Sequence, residues 1–96
     1  MAARVYILFS QSIDKFYIGA TTLDVNQRVY RHNTKYYDNK YTSQVNDWTI
    51  FLEIECPSMT TARHIESHIK RMKSKKYIKN LKMYPEMAEK LLLKYS

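Results

Sequence analysis

The amino-acid sequence predicts an α+β fold in which a small three-stranded, largely antiparallel sheet is flanked by helices. Three observations predict it: two short runs of β-branched and aromatic residues near the N-terminus, a third such run at mid-chain, and an apolar stripe with helical spacing after that run. With 96 residues, of which 45% are hydrophobic, residues 1–96 are expected to form a single domain with one core.

The first two strands are predicted at Val5–Phe9 and Phe16–Ala20, joined by a polar segment that suits a hairpin loop. Side chains alternate between the two faces of a strand. The odd-numbered residues of the first strand and the even-numbered residues of the second would therefore face the core together. Tyr6, Tyr17 and Gly19 would then share the opposite face.

A short helix is predicted next, over residues 25–33, with Asp24 as its N-cap. Arg28 and His32 are four residues apart in this helix and would project from the same flank. The following segment, residues 34–46, is polar, aromatic and aperiodic, which predicts a loop whose tyrosines could contact nucleic-acid bases.

The third strand is predicted at residues 47–55, and its aromatic and aliphatic side chains lead us to expect the most deeply buried strand of the sheet. Pro57 would end it. Cys56 is the only cysteine in the sequence, so it has no internal disulfide partner, and no basic residue adjoins it. We expect Cys56 to serve packing rather than chemistry.

Two further helices complete the predicted fold. The longer one follows Ser58, with Ser58 or Thr60 as its N-cap, and Pro85 marks the first turn of a final amphipathic helix. The segment between them, residues 73–82, contains no acidic residue. The apolar stripe of the longer helix comprises Thr61, Ala62, Ile65, Ile69 and Met72.

The charge of the chain restricts its partners. A formal net charge of +7 indicates a negatively charged partner, of which nucleic acid is the commonest. An anionic membrane is the alternative, and the basic amphipathic region 73–94 would be the part that docks on it. The sequence has no apolar run long enough to span a bilayer and no signal peptide, so we expect a cytoplasmic or nuclear protein.

A few residues stand at a distinctive spacing: Tyr6 in the first strand, Tyr17-Ile18-Gly19 in the second, Arg28 and His32 on the following helix, and Glu66 on a later helix. This arrangement resembles the GIY-YIG nuclease family. The resemblance spans residues 4–81, almost the whole chain. It includes the segment ARHIESHIKRMKSKKY, residues 62–77, which is similar to the metal-bearing helix of short family members.

One half of the family signature departs from the pattern. Tyr17-Ile18-Gly19 is intact, whereas Arg4-Val5-Tyr6 stands where Gly-Ile-Tyr would be. The tyrosine is the chemically required residue of that triad in the family, and short single-domain members often replace the other two. The resemblance therefore implies the family fold and a complete set of site residues.

The resemblance implies a divalent-metal-dependent endonuclease that hydrolyses DNA and leaves a 5′-phosphate and a 3′-hydroxyl. In the family the helical glutamate is the only protein ligand to the metal, usually Mg²⁺, with Mn²⁺ as a substitute, and this role falls on Glu66. Mg²⁺ keeps several waters by preference, so one carboxylate is sufficient. The alternative is that Glu66 only pairs with Lys70 across one helical turn.

The remaining catalytic roles follow from the same resemblance. Arg28 would contact the scissile phosphate, and Tyr17 would bind the phosphate or the water network. Tyr6 would act as general base or orient the attacking water, with His32 helping to accept the proton. A tyrosine ordinarily titrates near pH 10, so the identity of the base stays open. The alternatives are sheet packing for the tyrosines and a solvated helix face for Arg28.

Four more residues are predicted to bind substrate. Gly19 lacks a Cβ and would permit close approach of a phosphodiester, the alternative being a β-bulge. Lys70 and Lys73 would meet the phosphate backbone beside Glu66, and Asn80 would help to shape the site. Other basic residues would add affinity that weakens with salt, namely Arg71, Lys75, Lys76, Lys79 and Lys82.

The same residues suggest two other functions. A binding module could hold nucleic acid on the same fold without cutting it. A zinc hydrolase is disfavoured, because Glu66 follows His64 by two residues rather than one and so points away from a metal held by His64 and His68.

For the nuclease, branched or distorted DNA is the expected substrate, with specificity drawn from the 34–46 loop, a homodimer or a partner protein.

Overall fold

The computed structural model describes residues 2–34 and 45–96, and it confirms the α+β fold class. A three-stranded antiparallel sheet in the order β2-β1-β3 combines with four helices. The elements in chain order are β1 (Ala3–Ser10), β2 (Lys15–Thr21), α1 (Val25–Asn33), β3 (Thr49–Cys56), α2 (Met59–Met72), α3 (Lys75–Met83) and α4 (Pro85–Tyr95).

The hairpin of β1 and β2 has the predicted register parity. Val5 lies opposite Ala20 and Ile7 opposite Ile18, so these four side chains share one face. On the other face Tyr6 lies opposite Gly19, and Tyr17 is the partner of Leu8. The sequence prediction that the two tyrosines and the glycine share a face is confirmed.

Helices α2, α3 and α4 cover the first face of the sheet. The packing there forms a cluster of buried residues that we call the aliphatic cluster, since most of its side chains carry no polar atom. It comprises Ala3, Val5, Ile7, Ile54, Cys56, Ala62, Ile65, Ile69, Ile78, Leu81 and Leu91. Cys56 is 1% exposed in this cluster, which confirms its predicted packing role, and burial raises the pKa of its thiol.

A second cluster of buried residues fills the opposite face, under α1. This aromatic cluster comprises Tyr6, Leu8, Val25 and Trp48, with Tyr17 packed against it. The prediction of one core was therefore wrong. The central strand β1 is covered on both faces, because α1 packs on one side of the sheet while the other three helices pack on the other.

Strand β3 is not the most deeply buried strand. It is an edge of the sheet, and its exposed and half-buried residues outnumber its buried ones, whereas β1 pairs on both sides and is buried along most of its length. The strand begins at Thr49 rather than Asp47 and ends at Cys56, directly before Pro57. Trp48 therefore precedes the strand, and it is buried in the aromatic cluster rather than in the main sheet packing.

The predicted caps of α1 and α2 are confirmed. Asp24 accepts a hydrogen bond from the Asn26 amide, and Ser58 accepts one from the Thr61 amide. Met72 was predicted in the apolar stripe of α2 but is 45% exposed, because the helix ends there and Lys73 turns the chain in the left-handed conformation with φ 48°.

Helix α3 was missed in the sequence. Its signal was present: Ser74 caps the helix by accepting from the Tyr77 amide, and Ile78 and Leu81 are the buried pair on its inner side. The many lysines of this segment concealed that short apolar spacing. The next helix, α4, has Pro85 in its first turn as predicted.

Residues 35–44 of the predicted 34–46 loop lie outside the described residues. In the part of the chain that is described, no helix is both long and apolar enough to cross a membrane.

Candidate active site

Gly19 makes room for the Tyr6 phenol. Tyr6 is 0% exposed, and its ring lies over its cross-strand partner Gly19. A Cβ on Gly19 would lie 2.5 Å from both Cζ and Oη of Tyr6, which is closer than any stable contact. The approach that this glycine permits in the structure is thus that of a tyrosine ring. The β-bulge alternative was wrong, because the β1–β2 register runs past Gly19 without a shift.

Tyr6, Arg28 and His32 form one hydrogen-bonded group. Arg28 Nε donates to the Tyr6 hydroxyl at 3.4 Å, and His32 Nε2 lies 3.3 Å from the same oxygen. The guanidinium carbon of Arg28 is 5.9 Å from the centre of the Tyr6 ring. The four-residue spacing on α1 therefore places both side chains on the tyrosine of β1, as the sequence predicted for their shared flank.

Tyr17 joins this group through ring contacts. Its ring centre lies 4.7 Å from that of His32 and 6.3 Å from that of Tyr6. Among the described residues, Trp48 is a further ring neighbour of Tyr17, at 6.4 Å. Tyr17 is half-buried whereas Tyr6 is fully buried, so of the two phenols Tyr17 is the one that solvent reaches.

Burial fixes the charge state of His32. The side chain is 1% exposed, and this burial, followed by the positive charge of Arg28, lowers the pKa of His32 to about 4. At neutral pH the imidazole is therefore uncharged. A neutral ring has one nitrogen lone pair, so His32 is able to accept a proton or a hydrogen bond from Tyr6.

A contact that the sequence did not predict joins the end of α1 to the start of β3. Asn33, the last residue of α1, donates from Nδ2 to the Trp48 carbonyl at 2.8 Å and accepts at Oδ1 from the Trp48 amide at 2.7 Å. The pair joins the end of α1 to the start of β3 across 15 positions of sequence. No local pattern signals such a contact, because neither residue has a periodic relation to the other.

Asp47 is a second residue that sequence analysis missed. Its carboxylate accepts from the hydroxyl groups of Ser10 and Ser12, both at 2.6 Å, and from the Ser12 amide at 3.0 Å. These hydrogen bonds lower the pKa of Asp47 to about 2. They tie the hairpin turn to the residue before Trp48 and so help to hold the aromatic cluster in place.

Glu66 lies on α2, and α2 packs against β2 and β1. Its side chain is 17% exposed, and its Oε2 accepts from Lys70 Nζ at 2.8 Å. Across residues 2–34 and 45–96, no hydrogen bond joins Glu66 to Tyr6 or His32. The structure thus brings four of the five predicted catalytic residues into one contact group and places the fifth on α2, which packs on the other face of the sheet.

The predicted substrate-binding residues outside that group lie on the α2–α3 side. Lys70 and Lys73 line a groove beside β2. Asn80 is on α3 and is half-buried, and its backbone carbonyl accepts from the Tyr84 amide. Within the described ranges, the Asn80 side chain makes no hydrogen bond to the aromatic cluster.

The described residues offer no group of three or more His, Cys, Asp or Glu side chains that could hold a metal ion. The two histidines that suggested a zinc helix both face the last helix. His68 Nδ1 lies 2.8 Å from the Tyr95 hydroxyl, and the His64 ring centre is 5.8 Å from that of Tyr95.

Most of the chain matches a known protein family. The chain matches the GIY-YIG catalytic domain over residues 3–80, a range that includes every predicted site residue from Tyr6 to Asn80. The chain therefore belongs to the GIY-YIG family, a nuclease family whose members act on DNA and typically depend on a divalent metal. Neither the curated proteins nor the solved structures include a match to it.

Proposed function

We propose that this protein is a divalent-metal-dependent endonuclease that hydrolyses phosphodiester bonds of DNA, with branched or distorted DNA as its preferred substrate. The observation that carries the proposal is the contact group of Tyr6, Tyr17, Arg28 and His32 on one face of the sheet, in a chain that belongs to a nuclease family. The net charge of +7 suits a polyanionic substrate.

Arg28 would bind the scissile phosphate. Its guanidinium always carries a charge and donates in a planar fork that suits a phosphate. The hydrogen bond from Nε to Tyr6 sets the plane of that fork, so the orientation of Arg28 is fixed before substrate arrives. Charge that develops on the phosphate oxygens during attack by water would then be stabilised without rearrangement of this side chain.

Tyr6 and His32 would accept the proton of the attacking water. Arg28 has no acceptor, so the Tyr6 oxygen accepts from Nε, and the phenol proton is available to the neutral His32 Nε2 at 3.3 Å. Tyr17, the more exposed phenol, would contact the water or the phosphate itself. The water proton would pass to the Tyr6 oxygen as the phenol proton moves to His32. The 3′ oxygen would leave as an alkoxide that takes a proton from solvent water, and the phosphate would stay on the 5′ end.

Glu66 fits a single-carboxylate metal site. When bound, Mg²⁺ would neutralise charge on a phosphate oxygen and orient water near the phosphorus. The Glu66 side chain is partly exposed, and a cation that keeps several waters needs only one protein oxygen. Lys70 would have to release the carboxylate, and its side chain, which is 52% exposed, has the freedom to do so.

The proposal is tested by cleavage of plasmid, linear duplex and branched DNA with Mg²⁺, with Mn²⁺ and with chelator. We expect cutting only in the presence of metal, fastest on branched DNA, and abolished in Glu66→Ala while DNA binding persists. Glu89→Ala, which removes an exposed glutamate from α4, is the matched control and should cut like the wild type.

Lys70→Ala separates the two interpretations of Glu66. It removes the ion pair and leaves the carboxylate, so a metal ligand would bind Mg²⁺ at least as well as in the wild type. Because Lys70 is also a predicted phosphate contact, the readout is Mg²⁺ affinity rather than cutting. Equal Mg²⁺ affinity of the wild type, Lys70→Ala and Glu66→Ala would show that the metal role is wrong.

A non-catalytic nucleic-acid-binding module is the second candidate. It is favoured by one observation, the lysine ammonium that occupies the Glu66 carboxylate at 2.8 Å. Binding of all three DNA substrates without cutting under any metal condition would support this candidate over the endonuclease.

A further inference from the structure

A basic groove lies beside the edge strand β2, where α2 ends and α3 begins. It has a volume of about 380 Å³. Four lysines line it: Lys15 from the start of β2, Lys70 from the last turn of α2, Lys73 at the C-cap of α2, and Lys75 from the start of α3. We call this feature the lysine groove.

The floor of the lysine groove is apolar. Phe16 and Ile18 of β2 form one side, and Ile69 of α2 and Ile78 of α3 form the other. A rim of ammonium groups over an apolar floor matches the chemistry of a nucleic-acid strand, in which charged phosphates alternate with less polar sugars and bases.

The charges of the groove are only partly neutralised by the protein. Lys70 pairs with Glu66, and Lys75 donates to the Asp14 carbonyl at 2.7 Å and to its carboxylate at 3.0 Å. In the described part of the chain, Lys15 and Lys73 make no ion pair. The groove therefore keeps a net positive charge. The same positive charge lowers the pKa of Asp14, mainly through Lys75, with smaller contributions from Lys79 and Lys15.

The backbone supports the same electrostatic sign. Lys73 adopts a left-handed conformation with φ 48°, which ends α2, and Ser74 then caps α3. The first turn of α3 contains no acidic residue and presents its positive end near the groove. The groove is also continuous with the proposed metal ligand, since Lys70 both lines it and holds Glu66.

We propose that the lysine groove binds the phosphate backbone of one DNA strand next to the scissile bond, with Lys15 and Lys73 on the phosphates and the apolar floor under the sugars. This inference rests on the proposed function for the location of the scissile bond. It adds Lys15 and the β2 edge to the substrate contacts, and it places Lys75, which the sequence predicted only to add general affinity, beside them.

The test measures DNA affinity in chelator, where no cutting occurs, for a fluorescein-labelled duplex and a branched duplex across a range of KCl concentrations. The variant is Lys15→Gln/Lys73→Gln, which removes two charges and keeps most of each side chain. The matched control is Lys90→Gln/Lys94→Gln, which removes two charges from α4. Thermal unfolding midpoints of both double variants confirm that each is folded.

For the groove variant we expect affinity for both DNAs to fall about tenfold, and the slope of log K against log salt to become shallower by about 2, since each lost phosphate contact removes roughly 0.9. The control should change both quantities far less. Equal affinity and slope for the two double variants would overturn the proposal, as would a groove effect seen with an RNA duplex of the same sequence but not with DNA.

The outcome is separable from that of the proposed function. A protein that never cuts, but whose groove variant loses affinity and salt dependence, keeps the groove and loses the nuclease. A protein that cuts, with groove and control variants that bind DNA alike, keeps the nuclease and loses the groove.

Discussion

The two faces of the sheet are built from the same strand but from different chemistry. Val5 and Ile7 of β1 point into the aliphatic cluster, and Tyr6 and Leu8 point into the aromatic cluster. The first face buries mainly hydrocarbon, which stabilises the fold. The second buries a phenol and an imidazole, and such groups cost stability unless they are hydrogen-bonded. The hydrogen bonds among Tyr6, Arg28 and His32 offset that cost and hold these polar groups in a fixed geometry.

Tyr6→Phe should produce the largest change, in activity. It keeps the ring over Gly19 and removes the oxygen that joins Arg28 to His32. We expect the cleavage rate to fall at least about 100-fold, within the range typical of a lost proton-transfer group, while stability falls by only about 1 kcal/mol. Initial rates on the best DNA substrate, with denaturant melts, measure the two effects.

Tyr30→Phe is the control for that change, because Tyr30 lies on α1 but is 69% exposed. It should cut at the wild-type rate. If Tyr6→Phe also cuts at that rate, the aromatic face serves packing and the comparison between the faces fails.

Ile65→Ala should produce the largest loss of stability. Ile65 is 0% exposed in the aliphatic cluster, and truncation of such a residue leaves a cavity that costs about 2–5 kcal/mol. Leu93, which is 80% exposed, is the matched position, and Leu93→Ala should change stability by less than about 0.5 kcal/mol. Urea melts measure both, and a similar cost at the two positions would contradict the described packing.

The pH dependence of stability should reveal the buried imidazole. The pKa of His32 is about 4 in the folded protein and 6.5 in the unfolded chain, so between these values the unfolded chain binds more protons. Stability is therefore lost as the pH falls from 6.5 towards 4, by up to about 3 kcal/mol. Above pH 6.5 this contribution is fully present.

His32→Gln isolates that contribution. The pKa of His68 is also lowered, by burial and by the charges of Lys94 and Arg71, and it adds a slope of the same sign. The difference between wild-type and His32→Gln slopes from urea melts at several pH values therefore reports His32 alone. Parallel slopes for the two proteins would contradict a neutral buried His32.

Gly19→Ala should lower stability by about 1–3 kcal/mol, less than Ile65→Ala, because the new Cβ displaces a tightly packed ring. A double-mutant cycle with Tyr6→Ala measures the cause. If the cost comes from the Tyr6 ring, Gly19→Ala should be nearly neutral in the Tyr6→Ala background. A cost that persists there would assign the effect to the strand backbone instead.

Local pattern was sufficient for much of the fold. The alternation in β1 and β2 predicted which residues share a face, and Asp24 and Ser58 predicted the starts of two helices, because alternation and capping depend on neighbouring residues only. The missed α3 was also a local signal, Ser74 followed by Ile78 and Leu81, concealed by lysines. The burial of β3 was misjudged because composition says which residues are apolar but not which strand lies at the centre of a sheet.

The candidate site, like the fold, was predictable from the sequence only in part. The spacing of Arg28 and His32 placed both on one flank of α1, and the family resemblance named Tyr6, Tyr17 and Glu66. Their distances could not be predicted, since they depend on how α1 and α2 pack on the sheet. Likewise, the sequence shows that Gly19 lacks a side chain, and the structure shows that the space is filled by Tyr6.

The sequence by itself determined the α+β class, the parity of the hairpin and the identity of the residues on each face, because each follows from a repeat of two or of 3.6 residues along the chain. The tertiary structure alone decided the order of the strands and the two hydrogen bonds between Asn33 and Trp48. It also decided that Lys15, Lys73 and Lys75 line the same groove. Those contacts join residues far apart in sequence, and only the packing of whole helices on the sheet brings such residues together.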